Sequence, residues 1–480
     1  MRDRNSDQVN ACAPQAPPSD GYLHIHFGAG RLGLGLVAPF FRTSTSELYL
    51  LNRAVSGSKA TGTTSITPER RNHLLEHNPN RCYLVKRTDG DASSDGEVVT
   101  YDGFYSYDDA SIGKVIRSIA ASSSTKAAGV VVSASILNIA AYANVVRALN
   151  ALSAMAAEEE GAIGPIFLVA CENTFSADAV LADPGLAPLI SAETRARVIS
   201  VRAMVDRICT ALDEVHSPDH PTVRVGAEDY GSLILELSPA TDALEKLCRR
   251  ARVEFSRHVD AEKQIKGWLL NGGHGLIALN AFQVSHGDRT LKLNQYLEAS
   301  SEHRAFAAAV MEELCEGIAI VLRSDPVYAA FVRETDIDAY LQTRAQQMLR
   351  RFIQTEDPVS RILARFQAPA NGVDPVAAFA KRFAGRINLP MEAYEAEKGA
   401  PPPASSRAVF SLYALIASGK FVDAELDLAS PLLPQAEAAL ALDTEAVPGG
   451  LDVQTYVLND NSPERVNSKP AGLERSGATR

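Results

Sequence analysis

Hydrophobic and polar positions change rhythm once along this 480-residue chain, near residue 241. Before that point, short β-rich runs alternate with helical patterns. The first run, YLHIHFG, ends at residue 28 and leads through GAGRLGLGLVAPFF into an apolar helix. ELYLLNR (47–53) is a second strand. Segment 54–110 is polar and irregular, with strand patterns in RCYLVKR and EVVTYDGFYSY. GVVVSAS (129–135), IFLVACEN (166–173), RVISVRAMVDRI (197–208), VRVGAEDY (223–230) and SLILEL (232–237) continue the series. Helical patterns such as IGKVIRSIAASS and IAAYANVVRALNALSAMAAEEE fill the gaps. Strands alternating with helices predict a mostly parallel, doubly wound sheet.

After residue 241 the pattern, from ATDALEKLCRRARVEFSRHVDAEKQIKGW to about 440, is almost entirely helical and alanine-rich, with no convincing strand. A chain of this length exceeds one ordinary core. The expected organisation is a disordered leader at 1–20, an α/β domain at 21–240, an all-α domain at 241–440 and a loose tail at 441–480. That tail is polar and punctuated by glycine and proline. No internal repeat is present.

Composition narrows the partners. Hydrophobic residues make up 46% and charged residues 22%, ordinary for a soluble globular protein. A net charge of −11 argues against nucleic acid or an anionic membrane, which select surplus Lys and Arg. It leaves room for one small anionic ligand in a local basic pocket. The six cysteines (Cys12, Cys82, Cys171, Cys209, Cys248, Cys315) show neither C-x-x-C nor metal-ligand spacing, as expected of reduced thiols. No apolar run reaches the length of about 18 residues that spans a membrane, and the leader lacks a signal-type apolar stretch. The expectation is a cytoplasmic protein, a monomer or small homo-oligomer.

G-A-G-R-L-G (residues 28–33) lies between a strand and a helix at the start of the first βαβ unit. The turn needs Gly28, Gly30 lets the backbone approach a pyrophosphate, and Gly33 lets helix pack on strand. In this context the hexapeptide predicts a Rossmann-type dinucleotide site, with Arg31 and Leu32 inside the loop. The next strand ends at Asn52-Arg53, where an NAD-specific site places Asp or Glu. A neutral Asn followed by Arg favours NADP over NAD, unless Arg53 is only a solvated strand end. His24 and His26 share a strand face. They read as half-buried strand histidines rather than a metal pair, because no carboxylate or cysteine cluster joins them.

KGWLLNGGHGLIALNAF (266–282) has the apolar pattern of a core helix, yet Lys266, Asn271 and His274 interrupt it, and four glycines weaken it. Burying an ammonium, a carboxamide and an imidazole costs free energy unless each is partnered. Glycine in a helix costs roughly 0.5–1 kcal/mol relative to alanine. A nicotinamide enzyme oxidising an alcohol needs a general base and donors for the developing alkoxide. No zinc ligand set is evident, and these three groups suffice without one. A desolvated lysine can act as the base. The glycines would let cofactor and substrate approach the backbone.

K-x4-N-x2-H within KGWLLNGGHGLIA resembles the signature of the polyol-specific long-chain dehydrogenases, the mannitol dehydrogenase family. GAGRLGLG, VVVSAS, VACEN and MVDRI resemble further family segments in the same order, from about 22 to 440 and most strongly between 165 and 285. EDYG also fits, with Leu233 where a tryptophan is frequent. The resemblance implies Lys266 as general acid/base, Asn173 and Asn271 as an oxyanion pocket, His274 positioning the substrate, and Asp206 lining the cleft. Ser133 and Ala134 of VVVSAS would lie against the cofactor. Arg361 and Arg365, in RRFIQTEDPVSRILARF, are the candidates for holding polyol hydroxyls or a sugar phosphate, or else lie on a solvated helix face. The implied activity is zinc-independent, NAD(P)-dependent interconversion of a sugar alcohol and its ketose. Mannitol 1-phosphate/fructose 6-phosphate and mannitol/fructose are the leading pairs. A sugar acid such as mannonate, a C1-substituted ketose such as a fructosyl amino acid, and a catalytically silent dinucleotide-binding regulator are the alternatives.

Overall fold

The computed structural model describes residues 21–54, 66–87, 96–216, 221–288, 290–364 and 375–417. The leader, the tail at 441–480 and Arg365 lie outside the described residues. Six strands form one all-parallel sheet: β1 (Leu23–Phe27), β2 (Glu47–Arg53), β3 (Gly103–Tyr107), β4 (Val130–Ala134), β5 (Ile166–Ala170) and β6 (Val198–Val201). Their order is β3-β2-β1-β4-β5-β6, that of a doubly wound Rossmann-type sheet. The direction of winding reverses between β1 and β4, where Phe27 stands beside Ala134. Ligands of such sheets bind at the carboxyl ends of the strands at this point.

The strands read as apolar runs because both faces are covered. Leu23, Ile25, Phe27, Val130, Val132 and Leu168 share a core with Ile116 and Ile119 of helix Ile112–Ser122 and with Val145 and Leu149 of helix Ala143–Glu158. On the other face, Val131, Phe167 and Val169 share a core with Leu36 and Phe41, which follow the glycine loop, and with Val205 and Leu233. Each such side chain, fully buried, contributes about 1.5–3 kcal/mol.

Val205 and Leu233 belong to a small three-stranded sheet of Ala203–Asp206, Ser232–Glu236 and Glu254–Ser256. A four-stranded sheet joins Cys209–His216, Pro221–Ala227, Cys82–Arg87 and Glu97–Thr100. Two runs that look continuous in sequence are divided between sheets. RVISVRAMVDRI breaks at Arg202, whose guanidinium pairs with Glu236 and Asp260. EVVTYDGFYSY breaks at Asp102, whose carboxylate accepts the Leu48 N–H at 2.7 Å and pairs with Arg42 at 2.7 Å. In both cases the cause is a distant charged partner. The strand Glu254–Ser256 corrects the expectation that no strand follows residue 241; three residues are too few to show alternation.

The chain divides into two units: Met1–Asn271 with Leu293–Glu298 and Leu322–Asp357, and Gly272–Lys292 with Ala299–Val321 and Pro358–Arg480. The second contains only helical elements among its described residues. Its buried side chains include Leu276, Ile277, Leu314, Ile318, Phe383 and Ile387. A Cβ on Gly272 would stand 2.6 Å from the Arg386 carbonyl oxygen, and one on Gly273 2.5 Å from the Met311 sulfur. These two glycines therefore admit neighbouring protein segments, which corrects the expectation that they admit cofactor and substrate. Pro390, inside helix Pro375–Lys398, has no N–H to offer the carbonyl four residues earlier, that of Arg386. The Pro390 carbonyl in turn lies 2.1 Å from where a Gly317 Cβ would be. Neither glycine is replaceable without moving a backbone. Gly317→Ala is expected to lower stability by about 1–3 kcal/mol, read from urea melts; an unchanged midpoint would contradict this packing.

Among the described residues no helix is long and apolar enough to cross a membrane.

Candidate active site

The glycine loop leaves β1 at the reversal point. Gly28 has φ +103°, a left-handed conformation that favours glycine, and a Cβ there would meet the Ser135 carbonyl oxygen at 2.7 Å. A Cβ on Gly33 would stand 2.1 Å from the Gly28 carbonyl oxygen, so the helix start lies directly on the turn. A Cβ on Gly30 would meet nothing within 4 Å. Arg31 donates to the Thr210 carbonyl at 3.3 Å, and Leu32 is partly buried against the core beneath.

Asn52 ties this loop to its surroundings. Its oxygen accepts the Ala29 N–H at 3.3 Å and its amide donates to Asn72 Oδ1 at 2.7 Å, while Asn72 donates to the Arg53 carbonyl at 3.1 Å. A carboxylate could accept the first bond but not donate the second. The missing acid at the end of β2 thus has a structural reason that the sequence did not reveal. Arg53 is 66% exposed, 3.9 Å from Asp109, and such exposed pairs contribute little. Nearby, Thr67, Glu69, Arg70, Asn72, His73 and Ser106 line a cavity of about 490 Å³.

Ser133 and Ala134 are wholly buried in β4. The Ser133 hydroxyl lies 2.7 Å from both His24 Nε2 and His26 Nδ1. Both imidazoles are fully buried rather than half-buried, and burial pushes their pKa values down, His26 to about 4.

Lys266 is buried, and its Nζ donates to the Val205 carbonyl at 2.6 Å and to Asn173 Oδ1 at 2.8 Å. The Asn173 oxygen is turned to the lysine, so its NH₂ is the donor face of this exposed side chain. Lys266–Gly272 is wound as a π-helix, with hydrogen bonds closing one residue wider than in an α-helix. Residues five apart stand about 140° apart around an α-helix and closer together in this wider turn. The Lys266–Asn271 offset is five. The local winding therefore turns Asn271 closer to the Lys266 side of the helix than α-helical winding would. His274 is buried on helix Gly273–Val284 and belongs to the second unit, as does Arg361.

Beside Lys266 lies a buried charge cluster with two members that motif reading missed. Arg351 donates to both Asp206 oxygens, each at 2.9 Å, and to Glu228 at 2.9 and 2.7 Å. Its guanidinium stacks on the Tyr230 ring at 4.1 Å. Burial alone would raise the Asp206 pKa, but Arg351 and Lys266 outweigh it and hold the carboxyl below its ordinary value. Glu228 goes the other way, raised by burial that Arg351 only partly offsets. Arg344 lies 3.6 Å from Glu262 and 3.3 Å from the Tyr230 hydroxyl. Asp206, Tyr230, Glu262, Lys266, Arg344 and Arg351 are among the residues lining a cavity of about 20 Å³, near the size that holds one water. The guanidinium groups beside the lysine are thus Arg344 and Arg351. The signal for Arg351 in the sequence was the basic RRFIQ stretch, in which nothing marked it as paired, and Arg344 lies outside that stretch.

No protein-family model matches this sequence. No curated protein matches it either. Solved structures do. The chain is similar to D-sorbitol dehydrogenase in substrate-free form, at 14% identity and a TM-score of 0.54, over 92% of this chain and 95% of that one. It is similar, at 15% identity and a TM-score of 0.47, to the mannitol 2-dehydrogenase of Pseudomonas fluorescens in a ternary complex with NAD and D-mannitol, over 88% and 93% of the two chains. A PanE/ApbA family ketopantoate reductase from Ralstonia eutropha JMP134 follows at 14% identity and a TM-score of 0.39, over 80% and 95%. The likeness to D-sorbitol dehydrogenase shows that the fold is shared across nearly the whole chain.

Glu172, next to Asn173, is buried, and burial pushes its carboxyl up to about 7 while Lys263 and Lys266 pull it down. The folded protein holds this proton more tightly than the unfolded chain, so the stability it supplies is complete below about pH 4.5 and is lost as pH rises through 7. Glu172→Gln is expected to match the parent at pH 5 and to exceed it at pH 8.5 by up to about 3 kcal/mol. Parallel melting curves at both pH values check this; equal loss at the two would contradict it.

Proposed function

We propose that this chain is an NAD(P)-dependent oxidoreductase that interconverts a sugar alcohol and its ketose, with Lys266 moving the hydroxyl proton. The observation that carries the reading is the buried Lys266 ammonium held between a strand carbonyl and the Asn173 carboxamide, beside Asp206. These two acceptors fix the position of the nitrogen, which as an amine takes the proton of a substrate hydroxyl and as an ammonium returns it. The Asn173 NH₂ would donate to the oxygen as negative charge develops on it, with Asn271 as second donor and His274 orienting the polyol. No metal is required for these steps.

The left-handed Gly28, the open flank of Gly30 and the close contact at Gly33 fit a dinucleotide diphosphate. When bound, that cofactor supplies the acceptor for hydride. Ser133 and Ala134 would act from beneath the loop, and Arg31 and Leu32 from within it. Arg53, exposed at the end of β2, supports NADP over NAD through its reach to a 2′-phosphate. Arg344, lining the same cavity as Lys266, supports a substrate with an anionic end. That favours mannitol 1-phosphate/fructose 6-phosphate, and it equally suits a sugar acid.

Reduction of fructose, fructose 6-phosphate, fructuronate and a fructosyl amino acid, with NADPH and NADH side by side, tests the proposal. Turnover of one ketose is expected, and silence on all four with dinucleotide bound would refute it. Lys266→Ala should lower kcat by about 10²–10⁴-fold, with partial recovery by external primary amines; full activity would remove the lysine from the chemistry. Arg53→Ala should weaken NADP about tenfold while changing NAD little. Equal effects on the two cofactors would end the preference for NADP.

A further inference from the structure

Beneath the glycine loop, His24 and His26 on β1 and Ser133 on β4 face the same side of the sheet, where β1 and β4 pair in register. His26 Nε2 lies 3.2 Å from the Gly28 carbonyl oxygen, and the Ser135 hydroxyl lies 3.2 Å from both that oxygen and His26 Nε2. One set of proton positions leaves no acceptor facing another acceptor. The Gly28 oxygen can only accept, so His26 must carry its hydrogen on Nε2; the opposite tautomer would set two acceptors against each other. A neutral His26 then has a bare Nδ1, which accepts from the Ser133 hydroxyl. With its one hydrogen committed, the Ser133 oxygen accepts from His24 Nε2. His24 Nδ1 is left as a bare acceptor, and it is the His24 ring atom that finds no hydrogen-bond partner. Ser135, the last member, donates to the Gly28 oxygen.

We infer that His24, Ser133, His26 and Ser135 form a one-directional hydrogen-bond relay that sets the first peptide of the glycine turn, making His26 a positioning residue for dinucleotide binding. The peptide joining Gly28 to Ala29 is clamped on both edges: its oxygen by His26 and Ser135, its N–H by Asn52 Oδ1. A planar peptide held at both edges has one orientation, and the backbone N–H groups that follow inherit it. The Gly33 contact explains why the clamp is compact, since a Cβ there would lie 2.4 Å from His26 Nε2 and 2.7 Å from the Ser135 oxygen. A buried imidazole with one unpartnered nitrogen is costly to keep for packing alone.

The inference rests on the dinucleotide reading and is tested on the full chain in two ways. Imidazole ¹⁵N spectra should show His24 and His26 as Nε2–H tautomers; a hydrogen on His26 Nδ1 would overturn the relay. Fluorescence titration with NADPH and NADH should show binding to the parent protein and binding about tenfold weaker in His26→Leu. His26→Gln keeps a donor at the position of Nε2 and an acceptor for Ser133, and should return affinity to within about threefold of the parent. Should His26→Leu fail to fold, Ser135→Ala removes one donor without opening a cavity under the sheet, and about threefold weaker binding is expected. Parent-like affinity in folded His26→Leu or Ser135→Ala would overturn the relay while leaving the dinucleotide reading in place. A parent protein that binds neither nucleotide would overturn both.

Discussion

A guanidinium taken out of water must find compensating charge, and Arg351 finds it in two carboxylates at once. The pairing ties together segments far apart in sequence: the end of strand Ala203–Asp206, the residue after strand Pro221–Ala227, and helix Ile337–Gln354. Glu228 also accepts the Ile208 N–H, so this carboxylate is anchored to backbone as well as to charge. One guanidinium against two carboxylates leaves a net negative charge, which the neighbouring Lys266 ammonium balances. The lysine is therefore part of the electrostatics that keep the region folded, and any loss of its proton is felt by the whole cluster.

The parent sheet supplies the other half of the arrangement. Its reversal of winding between β1 and β4 puts the glycine loop, the Ser133–Ser135 edge and the Cys171–Asn173 segment at the same ends of adjacent strands. Lys266 reaches two acceptors, Val205 O in the three-stranded sheet and Asn173 Oδ1 in the segment that follows β5. A side chain held at two acceptors has little rotamer freedom left to lose when a ligand arrives.

Much of this was legible in the sequence, and the illegible parts share a cause. Strands buried on both faces, such as LHIHF and VVVSA, announce themselves because covering helices demand apolar side chains. The glycine loop is legible because Gly28 and Gly33 answer local steric requirements. Lys266, Asn173 and Asp206 were marked by motif, and the structure brings them together. Arg351 was not marked, because its partners lie 145 and 123 residues away and no local pattern encodes that pairing. Asn52 has a structural role that no local pattern shows either, since its bonds run to Ala29 and Asn72 and the pair of them requires a carboxamide. Gly272 and Gly273 looked like openings for ligands because a missing side chain does not say what occupies its space.

The π-wound stretch Lys266–Gly272 has a consequence for how this segment could change. A turn that closes one residue late is equivalent to an α-helix carrying a single inserted residue. Deleting one position between Gly267 and Leu270 would let the segment relax to ordinary winding at little cost in helix content. It would leave Lys266 and Asn271 four apart in an α-helix, still on one face. The present length and the wide turn are thus coupled, because ordinary α-helical winding over the same residues would set the two positions about 140° apart.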